Sequence, residues 1–294
     1  MDRILFGDNQ FFGINHLSEE KARSRLMRFR DSDSIMQVID AAYDLHINTF
    51  MCTTHERIGA ICSHIRANPE RYSDFKIYPC MPYAHKYANM YTELGAVETL
   101  RRFMPGSLFA AAVKGGHMFV KSDLLAMMKL FVDAEMRMFE GIQTPVVFLQ
   151  NIVTDLILGL KMKDFFLAFS DYVREKYSAE AGFITMNMPM LLDMLEESGI
   201  KNPIICSSIN KIGFRMANIT ACERALNERD FRPVAMQVLA AGALKPREAI
   251  EYVCRFPNIR SILFGASNYD HIRQTKELID FFSASVRGSE DFSG

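Results

Sequence analysis

Short apolar runs alternate with amphipathic stretches along most of the chain. The runs are rich in β-branched and aromatic residues, as expected of strands that are buried on both faces of a sheet. They predict eight strands, at Ile4–Phe6, Asn48–Cys52, Lys76–Cys80, Val146–Leu149, Phe183–Met186, Ile204–Cys206, Val234–Val238 and Ser261–Phe264. Between them, apolar residues at three- and four-residue spacing predict helices, such as Ser34–Leu45 with Ser34 as its N-cap.

This alternation of strands and helices predicts the α/β fold class. Eight strand–helix units imply a parallel sheet with right-handed crossovers, which closes most simply into a (β/α)8 or TIM barrel. The alternative is an open doubly wound sheet, whose first strand usually precedes G-x-G-x-x-G, but Gly7 and Gly13 are too far apart for that motif. We therefore expect residues 1–294 to form one barrel domain.

A long segment interrupts the alternation between the third and fourth predicted strands. It covers about 83–144 and contains two helical patterns, Tyr87–Met104 and Ser122–Glu140. This is much longer than a usual connection, so the sequence predicts a helical insertion that forms a docking or lid element.

The amino-acid composition argues against some classes of binding partner. The 294 residues include 34 Lys+Arg and 35 Asp+Glu, and this balance lacks the basic surface that nucleic-acid binding needs. No apolar run is long enough to span a membrane. Six scattered cysteines without a C-x-x-C pair indicate reduced thiols and a cytoplasmic location. We expect a small-molecule substrate; the oligomeric state cannot be predicted.

Titratable side chains follow the first three strands, and in this fold the loops after the strands carry the chemistry. His55 and Glu56 directly precede a helical pattern, whose N-terminal dipole favours a carboxylate and keeps an imidazole neutral. A neutral imidazole can act as a general base or polarise a carbonyl group. Asp8 is a second base, or a carboxylate that orients the imidazole. Glu56 has the alternative role of a first-turn acid.

The remaining strand ends offer mainly amides and hydroxyls. These groups can orient a substrate by hydrogen bonds, or they can simply cap helices and satisfy turns. The predicted substrate-binding residues are Asn9, Gln10, Gln150, Asn151, Asn187 and Ser207. We expect no metal, because no H-x-H follows the first strand and the last four strand ends lack carboxylates and imidazoles. A metal-dependent hydrolase is the weakest alternative.

Small residues follow the last two strands, in AAGAL at 240–244 and GASN at 265–268. Backbone N–H groups in such loops, with the N-terminus of the next helix, often bind phosphate. Tight turns are the alternative explanation. The predicted cofactor-binding residues are Gly242, Gly265, Ser267, Asn268 and Arg273.

The same loops resemble a known family. VLAAGAL at 238–244, followed by Pro246, is similar to the segment after strand seven in aldo-keto reductases. NIRSILFGAS at 258–267 resembles that family's cofactor-phosphate segment, and AAYDLHINTF at 41–50 resembles its first helix and second strand. The resemblance implies a barrel that binds NADPH without a Rossmann domain and reduces carbonyl compounds, so NADP is the cofactor it suggests.

The catalytic positions of that family are replaced in this chain. The family uses an Asp and a Tyr after strand two, a Lys ending strand three and a His ending strand four. Those positions fall here at Met51, at His55 or Glu56, at Cys80 or Met81, and at Gln150 or Asn151. Met and Cys cannot replace a Tyr–Lys pair in protonating an alkoxide.

Besides the metal-dependent hydrolase, three functions remain open at this point. The first is an NADP-linked, aldo-keto-reductase-like oxidoreductase with a non-standard proton donor, acting on a small polar or phosphorylated carbonyl compound at the C-terminal face. The second is a redox-neutral lyase or isomerase on the same barrel. The third is a non-catalytic binding or partner subunit, because barrels can lose their reactive groups.

Overall fold

The computed structural model describes residues 1–12, 27–83 and 121–290. Its strands are β1 (Ile4–Gly7), β2 (Thr49–Thr53), β3 (Lys76–Met81), β4 (Val146–Leu149), β5 (Glu180–Thr185), β6 (Ile204–Ser208), β7 (Arg232–Met236) and β8 (Ser261–Phe264). They form a closed barrel in chain order, and each strand runs parallel to the next, including β8 to β1. The predicted (β/α)8 barrel is confirmed.

Helices surround this barrel. They are α1 (Ser32–Asp44), α2 (Glu56–Ala67), α3 (Lys121–Met136), α4 (Asn151–Gly159), α5 (Lys163–Tyr177), α6 (Met188–Glu197), α7 (Ile219–Glu228), α8 (Pro246–Cys254) and α9 (Tyr269–Glu290). Short 3-10 turns cover Arg137–Phe139 and Ala240–Gly242. Among the helices in the described ranges, none is both long and apolar enough to cross a membrane.

Side-chain alternation along the strands divides the core into two parts. Residues such as Leu5, Phe148 and Cys206 fill the barrel interior, and a larger cluster lies between the strands and the helices. A Cβ at Gly182 would overlap the Phe148 ring, so this glycine makes room for that ring in the interior.

Charged residues close the N-terminal end of the barrel. Arg232 at the start of β7 bonds to Glu180 at 2.6 Å, and Lys76 at the start of β3 lies 3.2 Å from Asp2. These charges are paired with one another, and in this fold the reactive side chains lie at the other, C-terminal end.

Several predicted boundaries needed correction. Asp31, not Ser34, is the N-cap of α1, because its Oδ1 accepts the Ser34 N–H at 2.7 Å. Strand β5 begins at Glu180 because this residue pairs with Val146, and β7 begins at Arg232 because it pairs with Ile204. The second insertion pattern corresponds to α3 and the turn after it. The pattern at 87–104 lies outside the described residues.

Candidate active site

Asp8 lies directly after β1 and is buried at the C-terminal end of the barrel. Its Oδ2 accepts two hydrogen bonds from Thr53, from the backbone N–H at 2.8 Å and from Oγ1 at 2.7 Å. Burial raises the pKa of Asp8, and the bonds from Thr53 offset part of that increase. The C-terminal end of the barrel, which we call the mouth, therefore contains a carboxyl group whose charged form is disfavoured.

His55 is the N-cap of α2 and is half-buried. Its Nδ1 accepts the backbone N–H of Arg57 at 3.2 Å, and its ring stacks on Phe12 with centroids 4.1 Å apart. Burial and the Arg57 charge lower the pKa of His55 below 6.5, against a smaller opposing effect of Glu56. The neutral form of the imidazole is thus favoured, and because Nδ1 is an acceptor, the proton of that form is assigned to Nε2.

Tyr83 follows β3, and its ring centroid lies 5.9 Å from that of His55. Burial, and next the nearby Asp8 charge, raise the pKa of the Tyr83 hydroxyl. Asp8, His55 and Tyr83 therefore come from three adjacent strand ends and form one group, which we call the acid/base cluster.

Glu135 of α3 supports the acid/base cluster and was missed in the sequence. Its side chain is buried, and both carboxylate oxygens accept the Tyr83 N–H, at 3.1 and 3.2 Å. Oε2 also accepts the Thr54 hydroxyl at 2.6 Å. This carboxylate ties the ends of β2 and β3 to the insertion helix. No local motif marks it, because its partners lie far away along the chain.

Two of the predicted catalytic roles need revision. The carboxylate of Asp8 bonds to Thr53 and has no hydrogen bond to His55, whose ring is oriented by the Arg57 N–H and Phe12. Glu56 is exposed in the first turn of α2, which matches its alternative role as a first-turn acid. Four further titratable residues that the sequence places after the first and third strands or in the insertion, His16, His85, Lys114 and His117, lie outside the described residues.

Gln10 lies between the loops after the first and last strands of the barrel, while Asn9 beside it is exposed. The buried Gln10 donates from Nε2 to the Gly7 carbonyl at 2.7 Å. A Cβ at Gly265 would overlap Gln10 Oε1, so this glycine lets the amide lie against the loop after β8. Gln10 therefore joins the loops after β1 and β8.

Two other predicted amide residues, Gln150 and Asn187, occupy helix N-cap positions, and of these two it is Asn187 that makes the cap hydrogen bond with its side chain. Gln150 is the N-cap of α4, which Asn151 begins, and its N–H donates to the Met81 carbonyl at 2.9 Å. Asn187 is the N-cap of α6, and its Oδ1 accepts the Met190 N–H at 3.4 Å.

Because side chains alternate between the two faces of a strand, the two serines at the end of β6 point in opposite directions. Ser207 shares a face with Ile205 toward the helices, whereas Ser208 shares a face with Cys206 toward the interior. Ser208 donates to Gln237 Oε1 at 2.7 Å. The serine that faces the mouth is therefore Ser208 rather than the predicted Ser207.

A cleft of about 640 Å³ opens beside the ends of β4 to β6. It is lined by Asn151, Asp155, Leu158, Gly159, Met186, Asn187, Met190, Arg215, Met216 and Ala217. Asn151 and Asn187 are thus the two predicted substrate-binding residues that share a cavity.

The loops after β7 and β8 carry donors of the kind that bind phosphate. Gly242 is exposed in a turn with a φ of +95°, where a side chain would be strained. Asn268 caps α9 by accepting the His271 N–H at 2.9 Å, and Ser267 precedes it. Arg273 lies 3.1 Å from Glu277 and 3.9 Å from Asp270. N–H groups, a hydroxyl and a guanidinium fit a phosphate, although two carboxylates compete for Arg273.

Within the described ranges, no three His, Cys, Asp or Glu side chains come together in a way that could hold a metal ion. All six cysteines are buried free thiols.

Comparisons with known proteins bear on the fold. No protein-family model and no curated protein matches the sequence. A protein described as an aldo-keto reductase from Pseudomonas aeruginosa superposes with a TM-score of 0.61 at 15% identity, covering 95% of this chain and 90% of that one. An aldo-keto reductase from Brucella melitensis gives a TM-score of 0.51 at 9% identity, covering 86% and 90%.

A third match is a point mutant of a protein called Gox0644, solved in complex with NADPH. Its TM-score is 0.50 at 8% identity, and the match covers 84% of this chain and 79% of that one. These identities are low, so the likeness concerns the path of the backbone. The chain therefore has the closed (β/α)8 barrel fold that is seen in aldo-keto reductases.

Proposed function

We propose that this chain is an NADP-linked oxidoreductase that acts on a small polar or phosphorylated carbonyl compound at the C-terminal mouth of the barrel. The observation that carries the proposal is the acid/base cluster, in which Asp8, His55 and Tyr83 meet at three adjacent strand ends. Perturbed titratable groups that converge in this position of the fold are typical of a catalytic site. The shared fold supports the same class of chemistry by analogy.

His55 is the non-standard proton donor in this proposal. Because Nδ1 accepts the Arg57 N–H, Nε2 can donate a hydrogen bond to a carbonyl oxygen and stabilise the negative charge that develops there. A lowered pKa keeps the imidazole neutral, and a neutral imidazole is known to polarise carbonyl groups. The Tyr83 hydroxyl is a second donor on the same side of the mouth.

The cofactor phosphate would be held by the N–H groups near Gly242 and Gly265, the Ser267 hydroxyl, the Asn268 end of α9 and Arg273. When bound, NADPH would supply the hydride for reduction of the carbonyl carbon.

NADPH titration monitored by fluorescence tests the redox part of the proposal. We expect saturable binding well below millimolar concentration, and about tenfold weaker binding in Arg273→Ala, since this variant loses a charge-assisted contact to phosphate. Arg224→Ala, which removes an exposed arginine of α7, is the matched control. Absence of binding at millimolar NADPH would exclude an NADPH-linked reaction and favour a redox-neutral one on the same barrel.

A further inference from the structure

The cleft beside β4 to β6 lies on the opposite half of the mouth from the acid/base cluster. We infer that it binds an uncharged apolar group of the substrate, an alkyl chain or an aromatic ring, attached to the polar end that reacts. This inference rests on the proposed function and adds a substrate class to it. The volume of the cleft, about 640 Å³, suits part of a small molecule.

Most of the lining surface is apolar, and three methionines contribute to it. Met186, Met190 and Met216 come from β5's carboxyl end, from α6 and from the loop after β6, and Leu158 of α4 joins them. Met190 is 43% exposed, so water covers apolar surface that a ligand could bury. Flexible, polarisable thioethers adapt to alkyl groups and make favourable contacts with aromatic rings.

Two polar residues of the lining, Asp155 and Asn187, make hydrogen bonds that fix one wall of the cleft. Asp155 of α4 accepts the Thr185 hydroxyl at 2.5 Å and the Met186 N–H at 3.1 Å, which holds the end of β5 against α4. Asn187 Oδ1 is occupied in capping α6. The wall is thus preformed, and the carboxylate of Asp155 already has donors from the protein.

Hydrogen bonds within the loop after β6 hold the opposite wall of the cleft. Asn210 is fully buried and bonds twice to Phe214, accepting its N–H at 2.8 Å and donating to its carbonyl at 2.9 Å. The Met216 N–H donates to the Gly213 carbonyl at 3.1 Å in the same loop. This loop therefore presents Met216 and Ala217 to the cleft in a defined position, with Asn151 and the exposed Arg215 as the remaining polar lining.

Methionine methyl NMR tests the inference without a known substrate. The probes are n-butanol and n-octanol, added to protein with methyl-labelled methionine. We expect saturable shifts of the Met186, Met190 and Met216 methyls, while Met27 and Met36 outside the cleft stay unchanged. Octanol should bind at least tenfold more tightly than butanol, because each buried methylene adds about fourfold in affinity.

A matched pair of variants localises the site. Met190→Glu should weaken octanol binding at least tenfold, whereas Met27→Glu, at another exposed methionine, should leave it unchanged. Equal shifts of all exposed methionines, no shift in the cleft, or unaltered binding in Met190→Glu would overturn the inference. NADPH titration of the same samples reports separately on the proposed function, so failure of one is distinguishable from failure of the other.

Discussion

Burial acts in opposite directions on the two main titratable residues of the mouth, and in both cases it disfavours the charged form. It raises the pKa of Asp8 and lowers the pKa of His55. The thiols of Cys52 and Cys80 nearby also have raised pKa values for the same reason. The environment thus favours neutral groups, which suits hydrogen-bond donation to the carbonyl oxygen of a substrate.

Removing the charge of Arg57 and removing the charge of Glu56, both next to His55, should shift the pKa of His55 in opposite directions. Arg57 lowers the pKa of His55 and Glu56 raises it, so Arg57→Gln should raise this pKa and Glu56→Gln should lower it. An NMR titration of the imidazole in the wild type and both variants measures the shifts. Shifts of equal sign in the two variants would contradict the geometry described for this residue.

Asp8 should make stability depend on pH. Its pKa is raised in the folded state, so the folded chain holds this proton more tightly than the unfolded chain does. Stability from Asp8 is therefore present below its ordinary value near 3.8 and is lost as the pH rises through the folded pKa. Asp8→Asn removes this dependence.

Urea unfolding of wild type and Asp8→Asn across this range measures the effect. The free energy of unfolding of the variant, relative to wild type, should increase from acid toward neutral pH. A difference that stays constant or declines with pH would show that burial of the carboxyl group is not the dominant influence.

At the scale of elements, α3 is the helix that connects the insertion to the mouth. Its Glu135 holds the ends of β2 and β3 through the Thr54 hydroxyl and the Tyr83 N–H. A buried carboxylate with several donors is costly to remove, because the donors lose their partner.

Truncation of this side chain should therefore destabilise the fold. We expect Glu135→Ala to lower the free energy of unfolding by about 2 kcal/mol and Glu135→Gln by less, since an amide keeps one acceptor oxygen. Chemical denaturation measures both, with Glu175→Ala on the exposed side of α5 as the control. Equal stability of Glu135→Ala and the control would mean that the three hydrogen bonds contribute little.

Strand positions were predictable because continuous apolar runs mark strands that are covered on both faces. The bounds of β4 and β8 matched, whereas β5 and β7 were placed too late because Glu180 and Arg232 begin them with charge. These charges pair with each other across the barrel end, a long-range contact that no local pattern reveals.

The location of a candidate residue was predictable where it follows from the residue's position along the chain. Residues directly after strands, such as Asp8 and His55, were found because barrel topology puts strand ends at one face. Glu135 and Ser208 were not singled out, because their roles depend on which face of a helix or strand turns inward. The Gln10–Gly265 contact likewise appears only after the barrel closes.

At the scale of the molecule, closure of the barrel arranges three groups of side chains around the mouth. The acid/base cluster follows β1 to β3, and the thioether-lined cleft follows β4 to β6. Phosphate-type donors follow β7 and β8. A reacting group, an apolar arm and a cofactor phosphate would then each have a separate part of the rim.

The most direct test of the account is a single-turnover measurement of NADPH oxidation by the wild type and by His55→Gln. Glyceraldehyde and dihydroxyacetone phosphate serve as the polar and phosphorylated probes, and His64→Gln, at an exposed histidine of α2, is the control. The account predicts a rate at least about 100-fold lower in His55→Gln with unchanged NADPH affinity, and no change in the control. A His55→Gln rate equal to that of the wild type would contradict it.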